Sequence, residues 1–231
     1  MCTGRIDMSF IFRALSDGAD GVFVGGCRLN ECNYTTHGNY HALNMVRLSQ
    51  RIMEYSGINP ERLRIEFMSS GEGNLFAVFV NDFVKKIKDL GPLGTNEGLE
   101  EAEIKSRMTE VKRLIPYIKI AKKEKMSHRL KSPEEYETLY TLDEIEHLFK
   151  DAISYYIDPQ KCQACMICAR KCPMEAIEGG KNLVHVIDQE KCIKCGTCYE
   201  SCPPRFGAIR KIAAGEPVPP PLPKDARAIT R

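Results

Sequence analysis

The sequence predicts an α/β domain, a parallel sheet with flanking helices, followed by a helical linker and a small α+β repeat unit. Three observations predict it. Strand-length apolar runs alternate with helical periodicities over residues 1–92, the pattern of a parallel sheet covered by helices. Charged segments with helical spacing fill residues 93–157. A dense cysteine motif then occurs twice within residues 158–211. The 231 residues are 43% hydrophobic, enough for one ordinary core and a smaller module. Charged residues make up 28% of the chain and the formal net charge is +2, which gives neither the basic excess of a nucleic-acid binder nor an acidic tail. No apolar run approaches the roughly 20 residues of a bilayer span. The beginning lacks the basic-then-apolar layout of a secretory signal, so a cytoplasmic location is expected.

Each element has a local reason. "FIFRALSDGAD" (10–20) reads as a short amphipathic helix ending at small and polar residues. "GVFVGG" (21–26) is a continuous apolar run bounded by glycines, as in a buried parallel strand. From Tyr40 to Ser56, Leu43, Val46, Ile52 and Met53 fall at helical spacing, and Gly57 is a stop signal. "RLRIEFM" (62–68) alternates and predicts a second strand, and "LFAVFVNDFVKKIKDL" (75–90) a helix ended by Gly91 and Pro92. Loops at the carboxyl ends of parallel strands build functional sites. Cys27 and Cys32 lie past the first strand, and Ser69, Ser70 and Gly73 past the second. A strand preceding Cys2 would bring that residue to the same edge. "GEG" (71–73) is too short for a phosphate loop.

In the linker, "EEAEIKSRMTEVKRLI" predicts an amphipathic helix that Pro116 stops or kinks. "KIAKKEKMSHRLK" reads as a solvated basic face or a docking surface for an acidic partner. Ser132 and Pro133 look like a helix start, and "TLDEIEHLFKDAISYYI" like a further helix leading into the repeat. The closing segment, 212–231, is proline-rich and reads as an extended tail without a core of its own, either disordered or laid across a partner.

The eleven cysteines need a chemical reason. Their odd number, the tight clustering of eight, and the missing export signal favour metal or iron–sulfur ligation over disulfides. Cys162, Cys165, Cys168 and Cys172 stand at C-x2-C-x2-C-x3-C before Pro173, and Cys192, Cys195, Cys198 and Cys202 repeat this before Pro203. This is the run of a bacterial two-cluster ferredoxin, in which the fourth cysteine of each motif serves the other cluster. One [4Fe-4S] cluster, A, is therefore assigned to Cys162, Cys165, Cys168 and Cys202, and the second, B, to Cys192, Cys195, Cys198 and Cys172. Ile177 and Ile209, each following an alanine after its motif, are positioned to cover the clusters. "LVHVID" (183–188) reads as the strand feeding the second loop, and the second copy carries a two-residue insertion, "PRFG" against "ME". Zinc also uses paired C-x2-C knuckles, but it does not require the third and fourth cysteines twice over.

The segments "CTGRID", "GADGVFVGGCRLNECNYTTHGNYHA", "GINPERLRIEFMSSGEG" and "FAVFVNDFVKKIKDLGP", from Cys2 to Pro92, closely resemble the delta subunit family of methyl-viologen-reducing hydrogenase. The resemblance implies a domain holding a [2Fe-2S] cluster, with Cys2, Cys27 and Cys32 as its ligands and iron as its metal. It further implies electron transfer between two partners. One is a hydrogenase, formate dehydrogenase or other redox subunit; the other is a flavin-containing subunit like that of heterodisulfide reductase. It also implies an upstream strand and another cysteine before Cys2, so residues 1–92 are expected to be an N-terminally incomplete domain with Met1 an internal methionine. His37 or His41 as fourth ligand, or an empty site, are the alternatives. Taken singly, cysteines are often small buried hydrophobes and such histidines ordinary loop or helix-start residues. The linker end together with the ferredoxin unit also resembles the ferredoxin-like tail on flavin subunits of NADH-oxidising complexes.

The expected function is electron relay in a cytoplasmic, anaerobic-type complex, with no catalytic site on this chain. Two other classes stay open: a thiol–disulfide oxidoreductase using Cys27 and Cys32, although their five-residue separation is not the usual C-x-x-C pair, and a zinc-stabilised scaffold.

Overall fold

The computed structural model describes residues 2–34, 38–130, 132–221, 223, 226 and 227. The chain divides into two units: Met1–Lys112 with Ala121–Glu146, and Arg113–Ile120 with His147–Arg231.

In the first unit, α1 (Met8–Ser16) starts where the Asp7 carboxylate accepts the Ser9 N–H at 2.9 Å, an N-cap bond that fixes the helix start earlier than the apolar pattern alone suggests. It buries Met8, Ile11, Phe12 and Leu15, one face of a 3.6-residue repeat. Strand β1 (Val22–Gly26) leads through the cysteine loop to α2 (Asn39–Tyr55), and β2 (Leu63–Phe67) pairs parallel with β1 from Val22↔Leu63 to Gly26↔Phe67. Among the described residues this sheet has two strands. Helix α3 (Gly73–Leu90) follows and ends at Gly91, whose φ of 71° favours glycine.

Helix α2 is buried on more than the predicted face. Besides Leu43, Val46, Ile52 and Met53 it buries Met45, Leu48 and polar residues, among them Asn44 and Ser49. Asn44 donates to the carbonyls of Lys125 and Met126 at 3.0 and 3.2 Å and accepts from Tyr140 Oη at 2.5 Å. Ser49 bonds back to the Met45 carbonyl at 2.9 Å. A second buried polar device is Arg62, which bonds Glu97 at 2.6 Å and the carbonyls of Asp20 and Gly91 at 3.0 and 2.9 Å. It ties the start of β2 to the end of α3 and the loop beyond.

Four linker expectations are corrected. Helix α4 (Glu101–Ala121) continues through Pro116. Ile104, Met108, Val111, Ile115 and Ile118 are buried at alternating four- and three-residue spacing on both sides of the proline, and this burial outweighs one lost backbone bond. The basic stretch is not simply a solvated face: Lys122 pairs with Glu144, and Lys125, in the short helix α5 (Lys123–Ser127), pairs with Glu144 at 2.7 Å. After Ser132 and Pro133 there is a single 3-10 turn, Glu134–Tyr136, with no side-chain cap bond. Helix α6 (Leu142–Lys150) ends well before the cysteines, and residues read as its continuation form strand β3 (Ser154–Ile157). The aromatic and β-branched run Tyr155, Tyr156 and Ile157 suits a strand once a partner edge is present.

The second unit is a two-fold repeat. Strand β3 and β6 (Ile209–Ile212) pair antiparallel, Ser154↔Ile212 to Ile157↔Ile209. Strands β4 (Ile177–Glu178) and β5 (Val186–Ile187) pair likewise. Helices α7 (Ile167–Lys171) and α8 (Thr197–Ser201) occupy matching places. The symmetry extends to single bonds: Asp158 N–H donates to the Ala208 carbonyl and Asp188 N–H to that of Ala176, both at 2.7 Å. The expected strand over 183–188 is shorter. Its first half turns instead to the chain's end, with Val184 N–H donating to the Ala226 carbonyl at 2.9 Å and Leu183 bridging Arg227. This described part of the proline-rich tail thus lies against its own unit. Among the described residues no helix is long and apolar enough to cross a membrane.

Candidate cluster-binding sites

The repeat unit brings its cysteines together through the backbone of the two C-x2-C-x2-C loops. Each loop begins at an aspartate whose carboxylate accepts an N–H two residues on, Gln160 at 3.0 Å and Glu190 at 2.9 Å. The aspartate carbonyl then accepts the first cysteine's N–H, Cys162 or Cys192, at 3.0 Å. Two left-handed residues follow in each loop: Ala164 and Met166 with φ of 51° and 62°, Lys194 and Gly196 with 57° and 80°. Such backbone curls N–H groups inward toward an anion. Lys194 N–H in the second loop points at Cys192 Sγ, 3.4 Å away, and Ala176 N–H, just after the first motif, at Cys172 Sγ, 3.3 Å away.

Cys172, Cys192, Cys195 and Cys198 line one pocket with Tyr155, Ile177 and Ile187. The fourth cysteine of the first motif thus stands with the first three of the second. Reciprocally, burial pushes the Cys168 thiol up to about 11, and the sulfurs of Cys162, Cys165 and Cys202 add to the effect. Cys198 is pushed up to about 12 by burial and then by Cys192, with Cys168 and Cys195 contributing. Cys162, Cys168, Cys192 and Cys198 are buried in one apolar core with Ile177 and Ile209, the two residues expected as covers. Thiol donors crowded in an apolar shell, with N–H groups aimed at sulfur, suit a thiolate-held iron–sulfur group.

The two halves differ in their side chains. Near the first loop, His185 is 1% exposed, with Nδ1 3.8 Å from Cys162 Sγ and Nε2 3.1 Å from Met166 Sδ, and burial holds it toward the neutral form. In the second loop, Lys194 is 8% exposed and donates from Nζ to Ser154 Oγ at 3.1 Å. Burial pushes its ammonium down to about 8, with Cys192 opposing this and Arg113 adding to it.

The first unit gathers the other three cysteines at the carboxyl edge of its sheet. Strand β1 delivers Cys27. Cys2 sits beside the same strand end because Thr3 Oγ1 donates to the Gly25 carbonyl at 2.8 Å. Cys2 Sγ also accepts the Gly4 N–H at 3.4 Å and lies 3.6 Å from Cys32 Sγ. Burial raises the Cys27 thiol, and its neighbours Cys32 and Cys2 raise it further. For Cys32 burial acts upward too, but the N–H groups of Tyr34 and Asn39 and the thiols of Cys2 and Cys27 outweigh it and lower the value.

Residues that sequence reasoning missed hold this edge in place. Asn39, 1% exposed in the first turn of α2, donates from Nδ2 to the carbonyls of Cys27 and Arg28 at 2.8 and 2.7 Å and approaches Cys27 Sγ at 3.6 Å. Gly38 before it packs so closely that a Cβ there would collide with the Tyr34 carbonyl and Cys32 Sγ. Arg28 reaches Glu72 in the loop after β2, with Nε–Oε2 at 3.0 Å, and Glu72 accepts the Ser69 N–H at 2.6 Å. The Gly-Asn pair at a helix start is the one signal in the sequence that pointed here. Of the two histidines weighed as a fourth donor, His41 places Nδ1 3.2 Å from the Met126 carbonyl, and His37 lies outside the described residues.

Residues 1–91 match the family described as methyl-viologen-reducing hydrogenase, delta subunit, and residues 154–203 match a 4Fe-4S dicluster domain. Over 91 residues the chain is 46% identical to an iron-sulfur subunit of the F420-non-reducing hydrogenase of Archaeoglobus profundus, covering 39% of this chain and 66% of that protein. It is 41% identical over 92 residues to an iron-sulfur subunit of the F420-non-reducing hydrogenase vhu of Methanopyrus kandleri, covering 40% of this chain and 69% of that one. A 95-residue stretch is 40% identical to one subunit of the Ferredoxin/F(420)H(2)-dependent CoB-CoM heterodisulfide reductase of Methanosarcina acetivorans, covering 41% of this chain but only 12% of that protein.

Proposed function

The chain belongs to the methyl-viologen-reducing hydrogenase delta subunit family, joined here to a 4Fe-4S dicluster domain, and from that premise we propose that it is an iron–sulfur electron-transfer subunit of a hydrogenase- or heterodisulfide-reductase-like complex. The observation that carries the proposal is the crossed cysteine arrangement: Cys172 shares the pocket of Cys192, Cys195 and Cys198. On this reading Cys162, Cys165, Cys168 and Cys202 hold one [4Fe-4S] cluster, and Cys172, Cys192, Cys195 and Cys198 hold the other. Such clusters, when bound, store and pass on single electrons. The chain's own residues bind them through thiolates, exclude water with Ile177, Ile187 and Ile209, and aim backbone N–H groups at sulfur.

The proposal extends to the first unit, where Cys2, Cys27 and Cys32 supply three thiolates for a [2Fe-2S] cluster. Four protein ligands are the rule for such a group, so its fourth donor comes from outside the trio. The names of the relatives, iron-sulfur subunits of F420-non-reducing hydrogenases and a subunit of a CoB-CoM heterodisulfide reductase, support a hydrogenase-type enzyme on one side and a heterodisulfide-reductase-like subunit on the other. On this reading a formate dehydrogenase or other redox subunit fits the first place equally, and the second partner carries a flavin. The thiol–disulfide alternative rests on Cys27 and Cys32 alone, whereas Cys2 Sγ also lies 3.6 Å from Cys32 Sγ, and a cluster reading uses all three.

Cys172→Ser tests the assignment. It is expected to remove the cluster of the second loop although it lies in the first motif, lowering iron by about four per chain. Loss of the first loop's cluster instead would overturn the crossed arrangement.

A further inference from the structure

The two cysteine loops are near copies in backbone but not in charge. Lys194 and Ala164 occupy the same place, one residue before the second cysteine of each loop, with φ of 57° and 51°. Ala164 carries no charge there. Lys194 carries an ammonium that is buried and fixed on Ser154 Oγ at 3.1 Å, on a residue whose own N–H lies 3.4 Å from Cys192 Sγ. Among the described residues no carboxylate pairs with it. A second cation, Arg113, also acts on it and keeps its own Nε buried without a hydrogen-bond partner.

A buried cation without a counter-ion is costly. A cubane held by four thiolates is a net anion and gains one more negative charge on reduction, so a nearby fixed cation favours its reduced form. The first loop has no cation at the matching place: Ala164 stands there, and the buried side chain beside Cys162 is the His185 imidazole, Nδ1 3.8 Å from Cys162 Sγ. We propose that Lys194 is the potential-setting residue of the dicluster unit: its ammonium makes the cluster of Cys172, Cys192, Cys195 and Cys198 the more easily reduced of the two, so that a single electron entering the unit settles there. This rests on the cluster assignment proposed above and adds a direction to it.

The test is an EPR-monitored redox titration of the full chain, purified anaerobically, with iron counted in parallel. Wild type is expected to show two cubane midpoints. Lys194→Met should lower the upper midpoint and leave the lower one in place, while Lys194→Arg, which keeps the charge, should hold the upper midpoint near its wild-type position. If Lys194→Met binds fewer irons than wild type, Lys194→Gln takes its place with the same expected fall. Movement of the lower midpoint, movement of neither, or an equal fall in Lys194→Arg would overturn the proposal while the assignment stands. A wild-type chain without cubane signals would overturn the assignment and this proposal with it.

Discussion

At the scale of the residue, what was legible is what ligation imposes locally. Three cysteines on one loop must be spaced to reach three corners of one group, so Cys162, Cys165, Cys168 and their copies are readable from the sequence alone as candidate ligands, with the dicluster match over residues 154–203 supporting the cluster type. Asn39 and Lys194 were not, because their roles depend on which carbonyl or sulfur the fold brings to them. Asn39 is the sharper case: it is the donor for two carbonyls on the cysteine loop. Asn39→Ala removes both bonds: the Cys27 carbonyl loses this donor while the Arg28 carbonyl keeps the Glu31 N–H at 3.1 Å, at a cost of about 1–3 kcal/mol. Urea unfolding followed by circular dichroism checks that figure. Thiol labelling of the cluster-free protein should also show Cys27 reacting faster than in wild type, since the loop that carries it loses its anchor. Unchanged stability and labelling would assign the anchoring to Arg28 and Glu72 instead.

At the scale of the element, helices and strands with strong periodicity, such as α2, α3, β1 and β2, were visible within a few residues of their bounds. The misread elements share a cause. Pro116 predicts a stop or a kink from local backbone chemistry, yet with residues buried on both sides of it α4 does not stop there. Residues 154–157 continue a helical-looking segment, yet pairing with β6 makes them a strand. In both, tertiary packing overrides local preference. The Arg62–Glu97 pair tests how the first unit's elements are locked. Both side chains are essentially buried, at 0% and 3% exposure, so Arg62→Ala strands a carboxylate together with the carbonyls that Arg62 serves and should cost about 3–5 kcal/mol. The pair also carries a pH signature. Burial raises the Glu97 carboxyl, but bonds from Arg62 and the Asn59 N–H outweigh it and hold the folded value below the ordinary 4.5. A depressed folded value means stability present above 4.5 and lost as pH falls through the folded value. Glu97→Gln should therefore lose stability less steeply than wild type below pH 4.5 in matched urea titrations, and parallel acid limbs would contradict this linkage.

At the scale of the whole molecule, the chain joins two units built on different principles. The first is a sheet-edge site, where Cys2 is brought to Cys27 and Cys32 by a strand end and a helix start. The second is a duplicated loop, where the sequence itself sets most of the geometry. This difference explains why the dicluster unit could be read residue by residue while the front trio needed the resemblance to a family. The central claim is that the cysteines of both units hold iron–sulfur clusters. The most direct test is iron and acid-labile sulfide per chain on anaerobically purified protein, with EPR of the reduced form. The account predicts about ten of each, with cubane signals and a second, distinct signal. About eight, with cubane signals alone, would contradict the assignment of Cys2, Cys27 and Cys32, and zinc in place of iron would contradict the account as a whole.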